Sequence, residues 1–250
     1  MTENEIYEKF IEWLKTDPMG LPDSDDMTAL IKARYTPEDA ELLTDVPFKD
    51  QTIEELAKIK QMAVEELEPR MDALAKKGVV WKIFQYGEYR YKLCDPFLVF
   101  YRSVYWGGGR NSEHYRMAPL LNKTFGPYLE RFAHTHTRGL RTLPIEATVE
   151  DTRGVMPFED VLKVLDDQDY FCVGNCSCKA KHNLDPDQDN CRHYPFEENC
   201  VHFGDFARYM VENGHGREIS REECRDVLLR CADEGLVHGV SNWYEPVDTI

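Results

Sequence analysis

The chain is poor in basic residues and has no long apolar run. Lysine and arginine number 30 against 46 aspartates and glutamates, a formal net charge of -16. Nucleic-acid binding needs clustered lysine and arginine, and docking on anionic lipid needs a basic surface, so the composition disfavours both partners. No stretch approaches the roughly 18 apolar residues of a membrane-spanning helix, so we expect no membrane insertion.

Motifs for nucleotide binding and nucleophilic catalysis are also missing. No Gly-x-Gly-x-x-Gly or Gly-Lys-Ser/Thr pattern follows a predicted strand, and no Ser-His-Asp arrangement is recognisable. We therefore predict no catalytic residues. The acidic N-terminus lacks the basic and apolar regions of a signal peptide, so we expect a cytoplasmic location, where cysteines are kept reduced.

What the chain does have is cysteine, eight residues in all, of which four lie in one C-terminal stretch. Cys176, Cys178, Cys191 and Cys200 are separated by one, twelve and eight residues. Four thiolates from a loop-rich segment can hold an iron–sulfur cluster or a structural zinc ion. Because zinc sites typically pair Cys-x2-4-Cys units, the Cys-x-Cys spacing favours the cluster and leaves zinc as the alternative.

Basic and histidine residues lie close to these cysteines. Lys179, Arg192 and His202 each follow a cysteine by one or two residues, which in so acidic a chain suggests compensation of an anionic cluster. His182, His193 or His202 could replace a cysteine as a ligand. We prefer to read these histidines as exposed side chains or as neighbours of the ligands.

The other four cysteines are predicted to be buried thiols. Cys94 ends a predicted strand, and Cys224 and Cys231 are seven residues apart on an amphipathic helix, which is core spacing. Cys172 lies in a short apolar strand that leads into the cysteine segment, where it could serve as a reserve ligand. Cys200 is expected to lie just before a helix, whose N-terminal amides could bond its sulfur.

The predicted fold is mainly α with small β elements, an α+β protein. An N-terminal helix and linker are expected over 1–27, and a winged-helix-like domain over 28–106. A helical connector would follow over 107–150, and an iron–sulfur cluster domain over 151–250.

Helix, helix and hairpin patterns follow one another inside the second of these regions. The helices are predicted over 52–57 and 64–77, and the strands over 79–84 and 88–93. This order is typical of a winged helix. Pro69 requires that the second helix begin later or be kinked.

A winged helix normally suggests DNA binding, but the charge of the second helix argues against it. Four acids outnumber three bases in this helix, and they would repel phosphates. The acids are Glu65, Glu66, Glu68 and Asp72, and the bases are Arg70, Lys76 and Lys77. We therefore favour a scaffold or protein-docking role, while Lys82, Arg90 and Lys92 in the hairpin leave DNA binding open.

Capping residues mark three predicted helix starts. Thr36 before Pro37 predicts a new helix after a break, and Thr52 predicts another. Ser220 with Glu223 three residues later predicts a reciprocal capping box.

The C-terminal third resembles cytoplasmic iron–sulfur proteins of anaerobic bacteria and archaea, of the 4Fe–4S ferredoxin type with a winged-helix-like N-terminal region. The segments that carry this resemblance are 157–161, Cys176-Ser177-Cys178-Lys179, Cys191, 200–204, 216–223 and 235–238. The resemblance implies a [4Fe–4S] cluster on Cys176, Cys178, Cys191 and Cys200. Members usually have arginine at the position of Lys179, and many continue beyond residue 242 into a second cysteine-rich segment.

These features together predict a protein that transfers electrons through one [4Fe–4S] cluster and docks with a partner redox enzyme, whose docking face would be basic. Two alternatives stay open. One is an iron–sulfur redox sensor that regulates through the winged-helix module, and the other is a zinc-stabilised interaction protein.

Overall fold

A computed structural model of the chain describes residues 1–17, 20–133, 140–142, 161–188 and 195–241. The chain divides into two compact units: Met1–His134 with Ser177–Asn190, and Thr135–Cys176 with Cys191–Ile250. The described residues are mainly helical with small antiparallel sheets, so the predicted α+β class is confirmed. The predicted division into four domains stays a prediction.

The first unit begins with three short helices, α1 (Glu3–Leu14), α2 (Asp25–Arg34) and α3 (Pro37–Leu43). The predicted break before α3 is confirmed. Thr36 caps this helix in a reciprocal capping box with Asp39, which satisfies two backbone amides at the helix start.

The predicted helix, helix and hairpin follow as α4 (Ile53–Lys60), α5 (Val64–Lys77), β1 (Val80–Gln85) and β2 (Glu88–Leu93). β1 and β2 pair antiparallel over their whole length. The helix α5 begins at its predicted first residue with Pro69 inside it, so the alternative of a later start is wrong.

The elements that follow the hairpin in the first unit are rich in buried aromatic residues. The helix α6 (Pro96–Tyr101) is buried along its whole length and is followed by a 3₁₀ turn and the long helix α7 (Ser112–Ala133). The rings of Phe97 and Tyr101 both pack against Tyr128 of α7 at 5.8 and 5.4 Å between centroids. The helix α6 and this turn therefore form a buried segment between the hairpin and α7.

Asp95 caps the start of α6, and its carboxyl has a strongly shifted pKa. Its Oδ1 accepts a hydrogen bond from the Leu98 amide at 2.8 Å, which caps the helix. Burial and, to a smaller extent, the charge of Asp17 raise the pKa of this carboxyl, the Leu98 bond lowers it, and the net value is about 7. Because the folded chain then holds the proton more tightly than the unfolded chain, the free energy of unfolding falls as pH rises from about 4 to 7.

Asp95→Asn should remove this pH dependence, since asparagine caps a helix as well as aspartate but carries no charge. Near pH 8 we expect the variant to be more stable than the wild type by about 2 kcal/mol, and near pH 5 the difference should be much smaller. Urea unfolding at the two pH values measures this. The exposed Asp26 serves as the matched control. A gain for Asp95→Asn that is equal at both pH values would contradict the argument.

The remaining elements alternate short strands with helices. In chain order they are β3 (Leu140–Thr142), α8 (Val161–Val164), β4 (Phe171–Gly174), α9 (Ser177–Asn183), β5 (Cys200–Phe203), α10 (Gly204–Glu212), β6 (Arg217–Ile219), α11 (Arg221–Asp233) and β7 (Gly239–Ser241). All but α9 belong to the second unit. A sheet of three antiparallel strands has the order β5-β4-β6, and β3 pairs antiparallel with β7.

One face of the three-stranded sheet forms the core of the second unit. Side chains alternate between the faces of a strand, so Phe171 and Val173 of β4 point to one side with Val201 and Phe203 of β5. These residues pack in one buried cluster with α8 and α11. Cys224 and Cys231 of α11 belong to the same cluster, which agrees with their predicted core spacing.

The opposite face of the sheet carries Cys172, Gly174, Cys200 and His202 by the same alternation. The helix α10 packs on this face: the ring of His202 meets Phe206 edge-on at 5.2 Å between centroids. The second unit is therefore layered, with α10 and α11 against the two faces of the sheet.

The predicted capping box of α11 forms only in part, which corrects the sequence interpretation. The Ser220 hydroxyl accepts a hydrogen bond from the Glu223 amide at 3.1 Å, as predicted. The Glu223 carboxylate pairs with Arg217 of β6 at 2.8 Å and does not complete the reciprocal cap.

Within the ranges that the structure describes, no helix is long and apolar enough to cross a membrane.

Candidate metal centre

Strand pairing brings Cys176 and Cys200 to one end of the three-stranded sheet. Cys200 is the first residue of β5 and lies opposite Gly174, the last residue of β4, while Cys176 follows two residues later. The Cys176 amide donates a hydrogen bond to the Phe196 carbonyl at 2.7 Å. Both residues therefore lie at the same end of the β4–β5 pair, and Cys176 is partly buried while Cys200 is buried.

The helix predicted over 203–212 is confirmed as α10, which begins at Gly204. Cys200 does not open this helix, because Cys200–Phe203 forms the strand β5. Pairing with β4, rather than a helix start, determines where Cys200 lies.

Cys178 lies in the helix α9, which sequence reasoning read as a loop. It is exposed and belongs to the first unit. Two hydrogen bonds fix α9 there: the Ser177 hydroxyl donates to the Arg102 carbonyl, and the Asn122 side-chain amide donates to the Lys181 carbonyl at 3.1 Å.

Cys191, Arg192 and His193 lie outside the described residues. The structure therefore describes three of the four predicted ligands, Cys176, Cys178 and Cys200. Among described residues, no three His, Cys, Asp or Glu side chains are grouped so that they could hold a metal ion. The complete four-cysteine set stays a prediction.

The described histidines differ in their surroundings. His182 is exposed on α9, as preferred from the sequence. His202 is only 1% exposed and lies on the same sheet face as Cys200, so it is a buried neighbour of that cysteine. In the sheet, His202 of β5 pairs with Cys172 of β4.

Cys172, the predicted reserve ligand, also lies on this sheet face. Its side chain is fully buried, and burial together with the nearby Cys200 raises the pKa of the thiol to about 12. In the absence of a metal ion, a thiol with so high a pKa stays protonated. Burial likewise raises the pKa of Cys224 to about 12, and Cys94 is fully buried, so the remaining cysteines fit the predicted structural role.

The donor chemistry of the site fits either an iron–sulfur cluster or zinc, since both are held by thiolates. Lys179 is partly buried, and Lys181 is buried one helical turn after Cys178. Sequence reasoning missed Lys181 because α9 was not recognised. A Cys-x-x-Lys spacing on a helix is the signal that would have revealed it.

The hairpin of the first unit has its basic residues paired with acids. Lys82 donates to both carboxylate oxygens of Asp72, at 2.7 and 2.8 Å. Arg90 pairs with Glu88 at 2.8 Å, and Lys92 with Asp50 at 3.5 Å. These pairs leave the hairpin with little net positive charge.

The outer end of this hairpin is aromatic and uncovered. Phe84 and Tyr89 lie opposite each other and pack edge-on at 5.3 Å, and they are 55% and 41% exposed. Tyr86 is 90% exposed in the two-residue turn, where it and Gly87 take the left-handed conformation that such turns require.

Comparisons of this chain with protein-family models, curated proteins and solved structures gave no match. The resemblance to 4Fe–4S ferredoxin-type proteins therefore stays a prediction.

Proposed function

We propose that the protein carries a single [4Fe–4S] cluster on Cys176, Cys178, Cys191 and Cys200 and exchanges electrons with a partner redox enzyme. The observation that carries this proposal is the β4–β5 pairing, because it brings Cys176 and Cys200 to one end of a sheet. The spacing of the four cysteines and the resemblance to ferredoxin-type proteins favour a cluster over zinc. Such a cluster supplies one-electron redox chemistry when bound.

The role of the other residues follows from charge. A cluster held by four thiolates is anionic, and nearby basic groups make its reduction easier. Lys179, Arg192 and His202 would serve in this way. Lys179 or Arg192 would contribute to docking, since His202 is buried. The acidic surface of the chain, with a net charge of -16, suits a partner whose docking face is basic.

We further propose that the helix–helix–hairpin region is a winged-helix-like module that docks on protein. The ion pairs of Lys82, Arg90 and Lys92 with acids weaken the case for contact with phosphates. The exposed rings of Phe84 and Tyr86 offer apolar contact area of the kind found in protein interfaces. A carrier is therefore favoured over a DNA-binding regulator.

A redox cycle followed by absorption and a DNA-binding assay in each redox state together distinguish these functions. Protein prepared without oxygen should be brown, should bleach when a chemical reductant is added, and should recover its colour on oxidation. Neither redox state should retard duplex DNA in a gel at physiological salt. A retardation of DNA that changes with the redox state would favour the sensor. Colourless protein with one zinc ion per chain would favour the zinc-stabilised interaction protein.

A further inference from the structure

Lys181 of α9 is a buried cation in the first unit. Its side chain is only 3% exposed, and its Nζ lies 3.4 Å from the centroid of the Phe125 ring. The Tyr101 ring is 5.9 Å from the same atom. Among the described residues, Nζ has no hydrogen-bond partner.

A buried ammonium without an anion is unfavourable. Contact with aromatic faces offsets part of the lost hydration, but three N–H donors remain without acceptors. A methionine of similar length would fill the same space at lower cost. The position of this lysine therefore indicates that it has an electrostatic role.

Cys178, on the same helix, can supply a negative charge as a thiolate. Residues three apart on a helix are neighbours, and Cys178 precedes Lys181 by three residues. Burial lowers the pKa of Lys181, and a thiolate at Cys178 acts in the opposite direction. On the other side, Asn122 of α7 donates to the Lys181 carbonyl and so holds this turn of the helix in place.

We propose that Lys181 is the internal counter-charge of the Cys178 ligand and, through it, of the bound cluster. This inference rests on the proposed function. Lys181 is a positioning residue that acts through Cys178, and its charge stabilises the more negative, reduced state of the cluster. Removing the charge makes reduction harder without removing a ligand.

The test compares Lys181→Met with Lys123→Met in the cluster-loaded full chain. Lys123 is an exposed lysine of α7 and serves as the matched control. Lys181→Met should retain iron and sulfide like the wild type, while the equilibrium constant for one-electron reduction falls by about tenfold, which corresponds to 59 mV. Lys123→Met and Lys181→Arg, which keeps the buried charge, should leave the potential near that of the wild type.

A second measurement, on the cluster-free chain, tests whether the variant is misfolded. Without the cluster, Lys181→Met should be at least as stable to urea as the wild type, because it removes an uncompensated buried charge. A variant with a full cluster and an unchanged potential, or a cluster-free variant that is clearly less stable than the wild type, would overturn the role of Lys181. A wild-type chain that binds no iron and no sulfide would instead refute the proposed function, and the counter-charge role with it.

Discussion

Cys200→Ser should yield a chain that no longer retains its cluster. Serine keeps the size of the side chain but cannot supply a thiolate, and Cys200 is held beside Cys176 by the pairing of β4 with β5. We expect iron and sulfide per chain to fall by more than about tenfold relative to the wild type after anaerobic purification. Visible absorption and metal analysis measure the loss.

Cys224→Ser is the matched control for this prediction. Cys224 is a buried thiol of the same unit, but it lies in the apolar cluster on the other face of the sheet. Its raised pKa keeps it protonated. This variant should lose about 1 kcal/mol of stability and keep its cluster. Equal loss of cluster in both variants would mean that Cys200 acts through folding and is no ligand.

Gly216→Ala should strongly destabilise the second unit. A Cβ at this position would collide with the Cys172 sulfur and lie 2.9 Å from the Val173 carbonyl oxygen. The carbonyl belongs to β4, the central strand, so it cannot move without disturbing the sheet. We expect a loss of about 3 kcal/mol, a typical cost of overpacking, measured by urea unfolding.

Gly107→Ala is the control, since its backbone is not left-handed and a Cβ there meets nothing within 4 Å. It should change the free energy of unfolding by less than about 0.5 kcal/mol. The double variant Gly216→Ala, Cys172→Ala should recover only part of the loss, since the carbonyl contact remains. A Gly216→Ala chain as stable as the wild type would contradict the close contact between Gly216 and the β4 residues Cys172 and Val173.

The sequence predicted those elements whose signals are local. Thr36 with Pro37, and Thr52, mark helix starts by capping chemistry that does not depend on the rest of the fold. The hairpin follows from alternation and the Tyr86-Gly87 turn. The predicted bounds of these elements therefore agree with the structure to within a few residues.

The short strands of the second unit could not be predicted in the same way. The strands β3, β5, β6 and β7 are three or four residues long, and pairing with distant segments stabilises them. The helix α9 was missed because its seven residues contain two basic residues and a cysteine that suit a ligand loop equally well.

The candidate site was predicted as a set of cysteines but not as an arrangement. That Cys172 faces the same side as Cys200, while Val173 faces the core, depends on register, and a shift by one residue would reverse it. The burial of Lys181 depends on α9 packing against α7, which no local pattern reveals.

The central claim is that the four cysteines hold an iron–sulfur cluster. Anaerobic purification followed by iron, zinc and acid-labile sulfide analysis, with EPR of the reduced protein, tests it most directly. We predict iron and sulfide in equal amounts, about four of each per chain, and an EPR signal that appears on one-electron reduction. Stoichiometric zinc without sulfide, or neither metal, would contradict the claim.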